Sequence, residues 1–381
     1  MTSNKPKSLR ILVVDDAIVV RRVLSAVLAD DPAISEVHTA PNGRVALQKF
    51  TTLRPDAVVL DVEMPVMDGI TTLRELRKLD TKVPIVMFST LTERGAAATL
   101  EALANGASDY VTKPSASGGI RAAQERIRGE LIPKLKALCR VEISPRVTRR
   151  LPLRAQPATK RPPLIDVVLI GVSTGGPNAL AQVIPSLPAD LPVPVLIVQH
   201  MPPVFTKMLA DRLNAKAKLR VVEASHGDQV TPGGVWIAPG DYHMTVARQG
   251  RAVHVRLNQD PPVNFCRPAV DVLFRSAVPV YGGRILAVVL TGMGSDGCRG
   301  CQLIKEANGY VIAQDESTSV VWGMPGAVVQ HDLADEVLPL QEIGPAIARL
   351  VQPRRAAPAT ANRAEHTTRN PSNGRTLSFS R

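Results

Sequence analysis

The chain has 381 residues, of which 45% are hydrophobic, so it is long enough for two or three domains with sizeable cores. Its net charge of +12 is concentrated in segments 139–163 and 352–381, which carry +6 and +5 and leave +1 for the rest. Because the folded parts are nearly neutral, we predict no basic groove and expect no nucleic-acid partner.

Two further properties of the sequence concern its environment. The N-terminus has no apolar signal region and no run of 18 apolar residues occurs, so we expect a cytoplasmic protein without membrane insertion. Four cysteines are too few for a disulfide framework in a chain of this length. Cys298 and Cys301 have the spacing of a redox motif, but we interpret them as ordinary thiols at the start of a helix.

The first domain, residues 9–138, alternates buried strands with amphipathic helices. The predicted strands are 9–14, 37–40, 57–60, 84–88 and 109–112. The predicted helices are 18–28, 44–50, 70–78 and 95–104. Five such units predict an α/β fold with a doubly wound parallel sheet.

Polar residues follow several of these strands and meet at the carboxyl edge of the predicted sheet. They are Asp15, Asp16, Asp61, Ser89 and Lys113. Three carboxylates at one edge would repel one another unless a cation neutralised them, and Mg²⁺ is the natural candidate. A lysine and a hydroxyl beside them suit phosphoryl transfer, with Asp61 as the acceptor.

The motifs V-V-D-D, V-V-L-D-V-E-M-P-V-M-D-G, F-S-T and Y-V-T-K-P resemble those of response-regulator receiver domains, which have a flavodoxin-like fold. The resemblance implies that Asp15 and Asp16, with Asp61, hold Mg²⁺. It also implies that a sensor histidine kinase supplies the phosphoryl group to Asp61. Ser89 would then be the switch hydroxyl and Lys113 a phosphate contact.

Between the domains the composition changes. A helical pattern over 120–137 is interrupted by Pro133, and residues 139–163 read as a basic linker rich in proline and arginine. The tail, residues 352–381, has a composition typical of disorder. A second domain therefore occupies residues 164–351.

The second domain is again predicted to be a mainly parallel α/β sheet. Its predicted strands are 165–170, 193–199, 219–222, 284–290 and 311–313. Its predicted helices are 178–184, 206–213, 300–307 and 326–330. Short β runs between residues 233 and 257, separated by glycine turns, predict a β-hairpin insertion.

One turn in this domain is unusual. The stretch D-V-V-L-I-G-V-S-T-G-G-P, residues 166–177, is a buried strand followed by glycines, which places Ser173 and Thr174 in a tight strand-to-helix turn. Such a turn suits a nucleophile with an oxyanion hole or a phosphate cradle. The phosphate-binding pattern G-x-G-x-x-G is absent from this turn, and G-x-x-x-x-G-K-[ST] is absent anywhere in the sequence, which favours the nucleophile.

His200 and Asp296 also follow predicted strands, so with Ser173 they fit a Ser–His–Asp triad. Glycines around Met293 would let its N–H group share an oxyanion hole with Thr174. An alternative order of serine, acid and histidine requires His331 with Asp271 or Asp241, but no predicted strand delivers His331.

Six motifs of this domain resemble the catalytic domain of chemotaxis protein-glutamate methylesterases/protein-glutamine glutaminases, the CheB family. They are G-V-S-T-G-G-P, Q-H-M-P-P-V-F-T, A-P-G-D-Y-H-M, P-P-V-N-F-C-R-P-A-V-D-V-L-F, L-T-G-M-G-S-D-G and Q-D-E-S-T-S-V-V-W-G-M-P. The resemblance implies a phosphorylation-activated hydrolase with a catalytic Ser173, His200 and Asp296, and with Thr174 and Met293 around the oxyanion.

By the same resemblance, the substrates are methyl esters and glutamines of methyl-accepting chemotaxis receptors, and methanol or ammonia is released. The unphosphorylated receiver would cover the active-site edge, and no cofactor is expected in the catalytic domain. Two alternatives remain open from the sequence. One is a non-enzymatic, phospho-dependent binding module whose basic linker contacts nucleic acid, and the other is a nucleotide-linked reductase using Cys298 and Cys301.

Overall fold

The structure, a computed structural model, describes residues 8–113, 119–141 and 164–352. Within them lie two α/β units, which confirm the predicted fold class. Most of the predicted linker and nearly all of the predicted tail lie outside the described residues. Among the described helices, none combines the length and apolar character needed to cross a lipid bilayer.

The first unit is a five-stranded parallel sheet with the order β2-β1-β3-β4-β5. Its strands are β1 (Leu9–Val14), β2 (Ile34–Ala40), β3 (Ala57–Asp61), β4 (Ile85–Ser89) and β5 (Asp109–Thr112). All residues of β3, β4 and β5 are buried, as expected for strands covered by helices on both faces.

Within the described residues, six α-helices accompany this sheet. They are α1 (Ile18–Ala29), α2 (Gly43–Leu53), α3 (Gly69–Leu79), α4 (Glu93–Ala104), α5 (Gly119–Arg126) and α6 (Ile132–Leu138). Side chains of Asn42, Asp68 and Thr92 cap α2, α3 and α4 by accepting a hydrogen bond from the third following N–H group. These caps satisfy donors that a helix start leaves without partners.

The predicted helix over 120–137 is divided at its proline. A π-helical turn, Ile127–Leu131, joins α5 to α6, and Pro133 stands in the first turn of α6. Proline lacks an N–H group and its ring crowds the carbonyl four residues earlier, so it is tolerated where a new helical segment begins.

The second unit is a seven-stranded sheet in which every pair is parallel, with the order β14-β13-β12-β6-β7-β9-β8. Its strands are β6 (Val167–Val172), β7 (Val195–Gln199), β8 (Arg220–Glu223), β9 (Gly234–Ile237), β12 (Ile285–Val289), β13 (Tyr310–Gln314) and β14 (Glu336–Leu338). The strand before Ser173, β6, therefore lies between β7 and β12.

The predicted hairpin insertion is present but smaller than expected. Strands β10 (His243–Gln249) and β11 (Ala252–Asn258) form a separate antiparallel pair. The run V-W-I-A, predicted as part of the insertion, instead contributes three residues to β9, which pairs in parallel with β7 and β8 in the main sheet. Its buried apolar side chains suit the main sheet as well as a hairpin, so local sequence could not separate the two.

Six helices surround this sheet. They are α7 (Gly176–Ser186), α8 (Phe205–Asn214), α9 (Val270–Tyr281), α10 (Cys298–Glu306), α11 (Met324–Gln330) and α12 (Leu340–Val351). The sequence-based prediction lacks α9, α12 and β14. Both missed helices contain an internal proline, Pro279 and Pro345, which is a helix-breaking signal when read locally.

The two units are in contact through the α4–β5 face of the first. Tyr110 of β5 stacks on Phe205 at the start of α8, with ring centroids 4.8 Å apart and planes inclined by 5°. Asn178 of α7 and Arg212 of α8 donate hydrogen bonds to main-chain carbonyls of α4. The contacts therefore fall on the two helices that follow Ser173 and His200.

Candidate active site and phosphorylation site

The predicted triad residues follow three adjacent strands. Ser173 comes directly after β6, His200 directly after β7, and Asp296 lies in the loop after β12. The register pairs Val172 with Gln199, so Ser173 and His200 are consecutive neighbours at one edge. Because the sheet is parallel, all three residues meet at its carboxyl end, where open α/β sheets bind ligands.

His200 and Asp296 are directly bonded. Nε2 of His200 lies 2.8 Å from Oδ2 of Asp296, whose side chain is almost fully buried. The N–H groups of Val270 and Asp271, at the start of α9, donate to the same carboxylate at 2.7 and 3.0 Å. Burial raises the pKa of Asp296, but His200 and these helix-terminal donors outweigh it and lower the pKa.

The other imidazole nitrogen of His200 faces a thiol. Nδ1 lies 3.5 Å from Sγ of Cys266. Burial lowers the pKa of His200, but the contacts with Asp296 and Cys266 outweigh burial and raise the pKa to about 10. With Nε2 occupied by Asp296, Nδ1 is the nitrogen left to exchange a proton with another group.

Ser173 sits in a tightly held turn. Its N–H group donates to the carbonyl of Thr291 at 3.0 Å, and its own carbonyl accepts from Gly176 at 2.8 Å and from Nε2 of Gln199 at 3.0 Å. Gly175 adopts φ = +77°, a left-handed conformation that favours glycine. Within the described residues the Ser173 hydroxyl has no hydrogen-bond partner, so the structure brings His200 to Asp296 but does not bond Ser173 to His200.

The predicted oxyanion donors belong to the residue after Ser173 and to the Met293 loop, which packs against Ser173. A Cβ atom on Gly292 would fall 2.8 Å from Cβ of Ser173, so only glycine lets the Met293 loop approach this closely. The main-chain N–H groups of Thr174 and Met293 have no hydrogen-bond partner among the described residues. Both donors are therefore available to an incoming oxygen.

Three residues at this edge were not assigned roles from the sequence: Gln199, Asn264 and Cys266. Gln199 bridges the two turns, since its amide also lies 3.3 Å from the carbonyl of His200. Asn264 and Cys266 belong to the quoted motif P-P-V-N-F-C-R-P, which was the available signal, but a loop residue has no periodicity to show where it points.

The alternative triad with His331 and the alternative redox pair of Cys298 and Cys301 receive no support from the geometry of the described residues. His331 caps the end of α11, where Nδ1 bonds the carbonyl of Ala327 at 2.8 Å. Cys298 and Cys301 are buried free thiols, and burial raises the pKa of both, which is opposite to the shift that activates a cysteine.

The first unit gathers its predicted residues around a cavity of about 330 Å³. Carboxylate oxygens of Asp15, Asp16 and Asp61 lie within 4.8 Å of one another. Nζ of Lys113 is 2.9 Å from Asp15 and 2.8 Å from Asp61, and Ser89 lines the same cavity. All five predicted residues are therefore at one site.

The charges at this site are not balanced. Burial raises the pKa of Asp61 to about 6, more than the adjacent Lys113 offsets, and Asp15 contributes in the same direction. Oδ2 of Asp15 is buried and lacks a partner with hydrogen-bond geometry, despite its proximity to Lys113. An oxygen-rich, under-neutralised cluster of this kind fits a hard divalent cation.

Comparisons with known proteins agree with this two-site arrangement. The family described as CheB methylesterase matches residues 168–347, and the family described as response regulator receiver domain matches residues 11–125. A Nocardioides protein named protein-glutamate methylesterase/protein-glutamine glutaminase is 53% identical, covering 90% of this chain and 95% of its own. A protein of the same name from Trichodesmium erythraeum is 47% identical, covering 90% of this chain and 99% of its own.

Among solved structures, the Thermotoga maritima CheB methylesterase catalytic domain is 45% identical, covers 49% of this chain and 99% of that chain, and has a TM-score of 0.48. The matched families define a response regulator that carries an enzymatic domain behind its receiver. The chain belongs to the CheB methylesterase family.

Proposed function

We propose that Ser173, His200 and Asp296 are the catalytic triad of a phosphorylation-activated protein-glutamate methylesterase and protein-glutamine glutaminase. The substrates are glutamate methyl esters and glutamines of methyl-accepting chemotaxis receptors. The single observation that carries the triad is the 2.8 Å bond between His200 and Asp296, at the sheet edge where Ser173 ends the adjacent strand.

In this mechanism Oγ of Ser173 attacks the side-chain carbonyl carbon of the substrate while Nδ1 of His200 takes the hydroxyl proton. Asp296 holds the imidazole through Nε2 and stabilises its cationic form. His200 then passes the proton to the departing oxygen, and methanol leaves an acyl group on Ser173.

Water completes the reaction. His200 takes a proton from the water that attacks the acyl group, and glutamate is freed as Ser173 regains its proton. A glutamine substrate follows the same path with ammonia as the leaving group. The free N–H groups of Thr174 and Met293 stabilise the tetrahedral oxyanion, and each such donor contributes about 3 kcal/mol.

In the receiver, residues 9–138, Asp61 accepts the phosphoryl group from a sensor histidine kinase. Asp15, Asp16 and Asp61 would hold Mg²⁺, which when bound neutralises the charge of the phosphate and the carboxylates. Lys113 contacts the phosphate, and Ser89, whose hydroxyl now donates to the carbonyl of Gly95 at 3.0 Å, turns toward it.

Control by phosphorylation is supported by the contacts of α4 and β5 with α7 and α8, the helices that begin behind the catalytic turns. A change at Asp61 that weakens these contacts frees the edge of the catalytic domain, residues 164–351, for a receptor. We propose a cytoplasmic location, where the kinase and the receptor segments are accessible. The test of the function is methanol release from methylated receptor membranes, with and without a small phosphodonor.

The pH dependence of methanol release should follow the protonation state of His200. A base must be neutral to accept a proton, and the neutral fraction of His200 increases as pH rises through its raised pKa of about 10. We therefore expect methanol release to keep increasing from about pH 7 to pH 9, whereas an ordinary histidine is already about nine-tenths neutral by about pH 7.5. Cys266→Ala removes one cause of the shift and should move the increase to lower pH. A profile that is level above about pH 7.5 for the unchanged chain contradicts this assignment.

The interdomain contact gives another expected result. Arg212→Ala removes a charged donor to the carbonyl of Leu100 and weakens the contact with α4. We expect the state in which the receiver covers the active site to become less stable by about 1 kcal/mol. The open fraction, and with it methanol release without phosphodonor, then increases about fivefold. The matched control is Lys207→Ala on the same helix, whose ammonium pairs only with Asp211 among the described residues. Equal rates for both variants would refute a restraining role for Arg212.

A further inference from the structure

The amide of Asn264 joins two buried carboxylates. Nδ2 lies 2.9 Å from Oδ1 of Asp296 and 3.0 Å from Oδ2 of Asp271. Both acids are buried, with 2% and 6% of their surface exposed. Since both partners are acceptors, the NH₂ end of the amide must face them, and its two protons serve one carboxylate each.

The amide of Asn264 donates a hydrogen bond to each of two negatively charged carboxylates, which would otherwise repel each other with fewer donors between them. Burial and the nearby charge of Asp296 both raise the pKa of Asp271. The other oxygen of Asp271 accepts from the N–H group of Gly300 at 2.7 Å, which fixes that side chain against α10. Asp271 is therefore a rigid anchor for the amide of Asn264.

The bonds to Asp296 restrain rotation of its carboxylate. Oδ1 accepts from Asn264 and from the N–H groups of Asp271 and Gly297, both at 3.0 Å. Oδ2 accepts from Val270 and faces His200. Asn264 therefore supplies the side-chain donor to the carboxylate oxygen opposite the one that faces His200, beside the three backbone donors.

We propose that Asn264 is a positioning residue for catalysis: anchored by Asp271, it fixes the Asp296 carboxylate against His200. This inference rests on the proposed triad, since it gives Asn264 no contact with substrate. A purely structural role is poorly supported, because Asn264 is an exposed loop residue and its side chain bonds no other described group.

Two substitutions separate the amide from the backbone. Asn264 adopts φ = +53°, a left-handed conformation that asparagine, aspartate and glycine tolerate better than other residues. Asn264→Asp keeps the shape but replaces the donor with a charged acceptor, and Asn264→Gly removes the side chain without backbone strain. Gln259→Ala is the matched control, because Gln259 lies in the same loop as Asn264 and its amide also bonds a carboxylate, that of Asp241 before β10.

The experiment measures kcat, KM and pH dependence of methanol release with the full chain, methylated receptor membranes and a small phosphodonor. For Asn264→Asp we expect kcat to fall about 100-fold near pH 8 with KM unchanged. The loss of kcat relative to the unchanged chain should become smaller toward about pH 6. The introduced carboxyl group then binds a proton and can again donate a hydrogen bond to Asp296. Asn264→Gly should lose about tenfold at every pH, and Gln259→Ala should match the unchanged chain.

Several outcomes would overturn the inference. Unchanged kcat in Asn264→Asp is one, and an equal, pH-independent loss in all three variants, which indicates loop disruption, is another. Failure of the proposed function is distinguishable, since it would appear as methanol release by Ser173→Ala. Inactive Ser173→Ala together with normal Asn264→Asp would refute only the positioning role.

Discussion

Replacing Ser173 with alanine is expected to lower methanol release by about 10⁶-fold, which leaves only the weaker catalysis that the oxyanion donors and substrate binding supply. Cβ of Ser173 lies beside Gly292, and the N–H groups of the neighbouring Thr174 and Met293 have no hydrogen-bond partner among the described residues. Without Oγ no acyl intermediate forms. The N–H groups of Thr174 and Met293 can then stabilise only the direct attack of water on the substrate. The measurement is methanol release from methylated receptor membranes at saturating phosphodonor.

The control for this substitution is Ser186→Ala in α7, the helix that follows Ser173. Among the described residues its hydroxyl bonds only the carbonyl of Val183 in the same helix, so activity should be retained. Thermal unfolding and phosphorylation of Asp61 should be unchanged in Ser173→Ala. Full methanol release by Ser173→Ala would show that the triad assignment is wrong.

Replacing Asp61 with asparagine is expected to abolish stimulation by phosphodonor while leaving the unstimulated rate in place. A carboxylate oxygen can accept a phosphoryl group as an acyl phosphate, and a neutral amide cannot. Asp61 is also the acid that faces both Lys113 and the 330 Å³ cavity. The readout is the ratio of methanol release with and without phosphodonor.

A suitable control is Asp68→Asn, which changes another acid soon after β3. Asp68 caps α3 by accepting from Thr71, and asparagine caps helices equally well, so stimulation should persist. Stimulation of Asp61→Asn by phosphodonor would contradict the proposed switch.

Much of the architecture was predictable because the relevant signals are local. Strands buried on both faces are nearly continuous apolar runs, as in β6 and in β1 after Arg10, and their ends are marked by the glycines after Ser173 or by Asp15. Parallel strands deliver their end residues to one edge, so the grouping of Ser173, His200 and Asp296 followed from strand positions alone.

Local patterns failed where pairing partners are distant in sequence. The run V-W-I-A was assigned to the hairpin because nothing in four apolar residues specifies which sheet they join. Helix α9 is absent from the sequence-based prediction because it contains Pro279 and because its mostly apolar sequence shows no clear alternation of apolar and polar faces. Its first N–H group nevertheless donates a hydrogen bond to Asp296.

The sequence by itself determined the two α/β units, the acidic phosphorylation site and the glycine turn that presents Ser173, because each depends on a short stretch of chain. Tertiary structure decided the rest: the neighbours of β6, the approach of Asn264 to Asp296 and Cys266 to His200, and the stacking of Tyr110 on Phe205. These contacts depend on sheet order and loop packing, which join residues far apart in the chain and leave no periodic trace in the sequence.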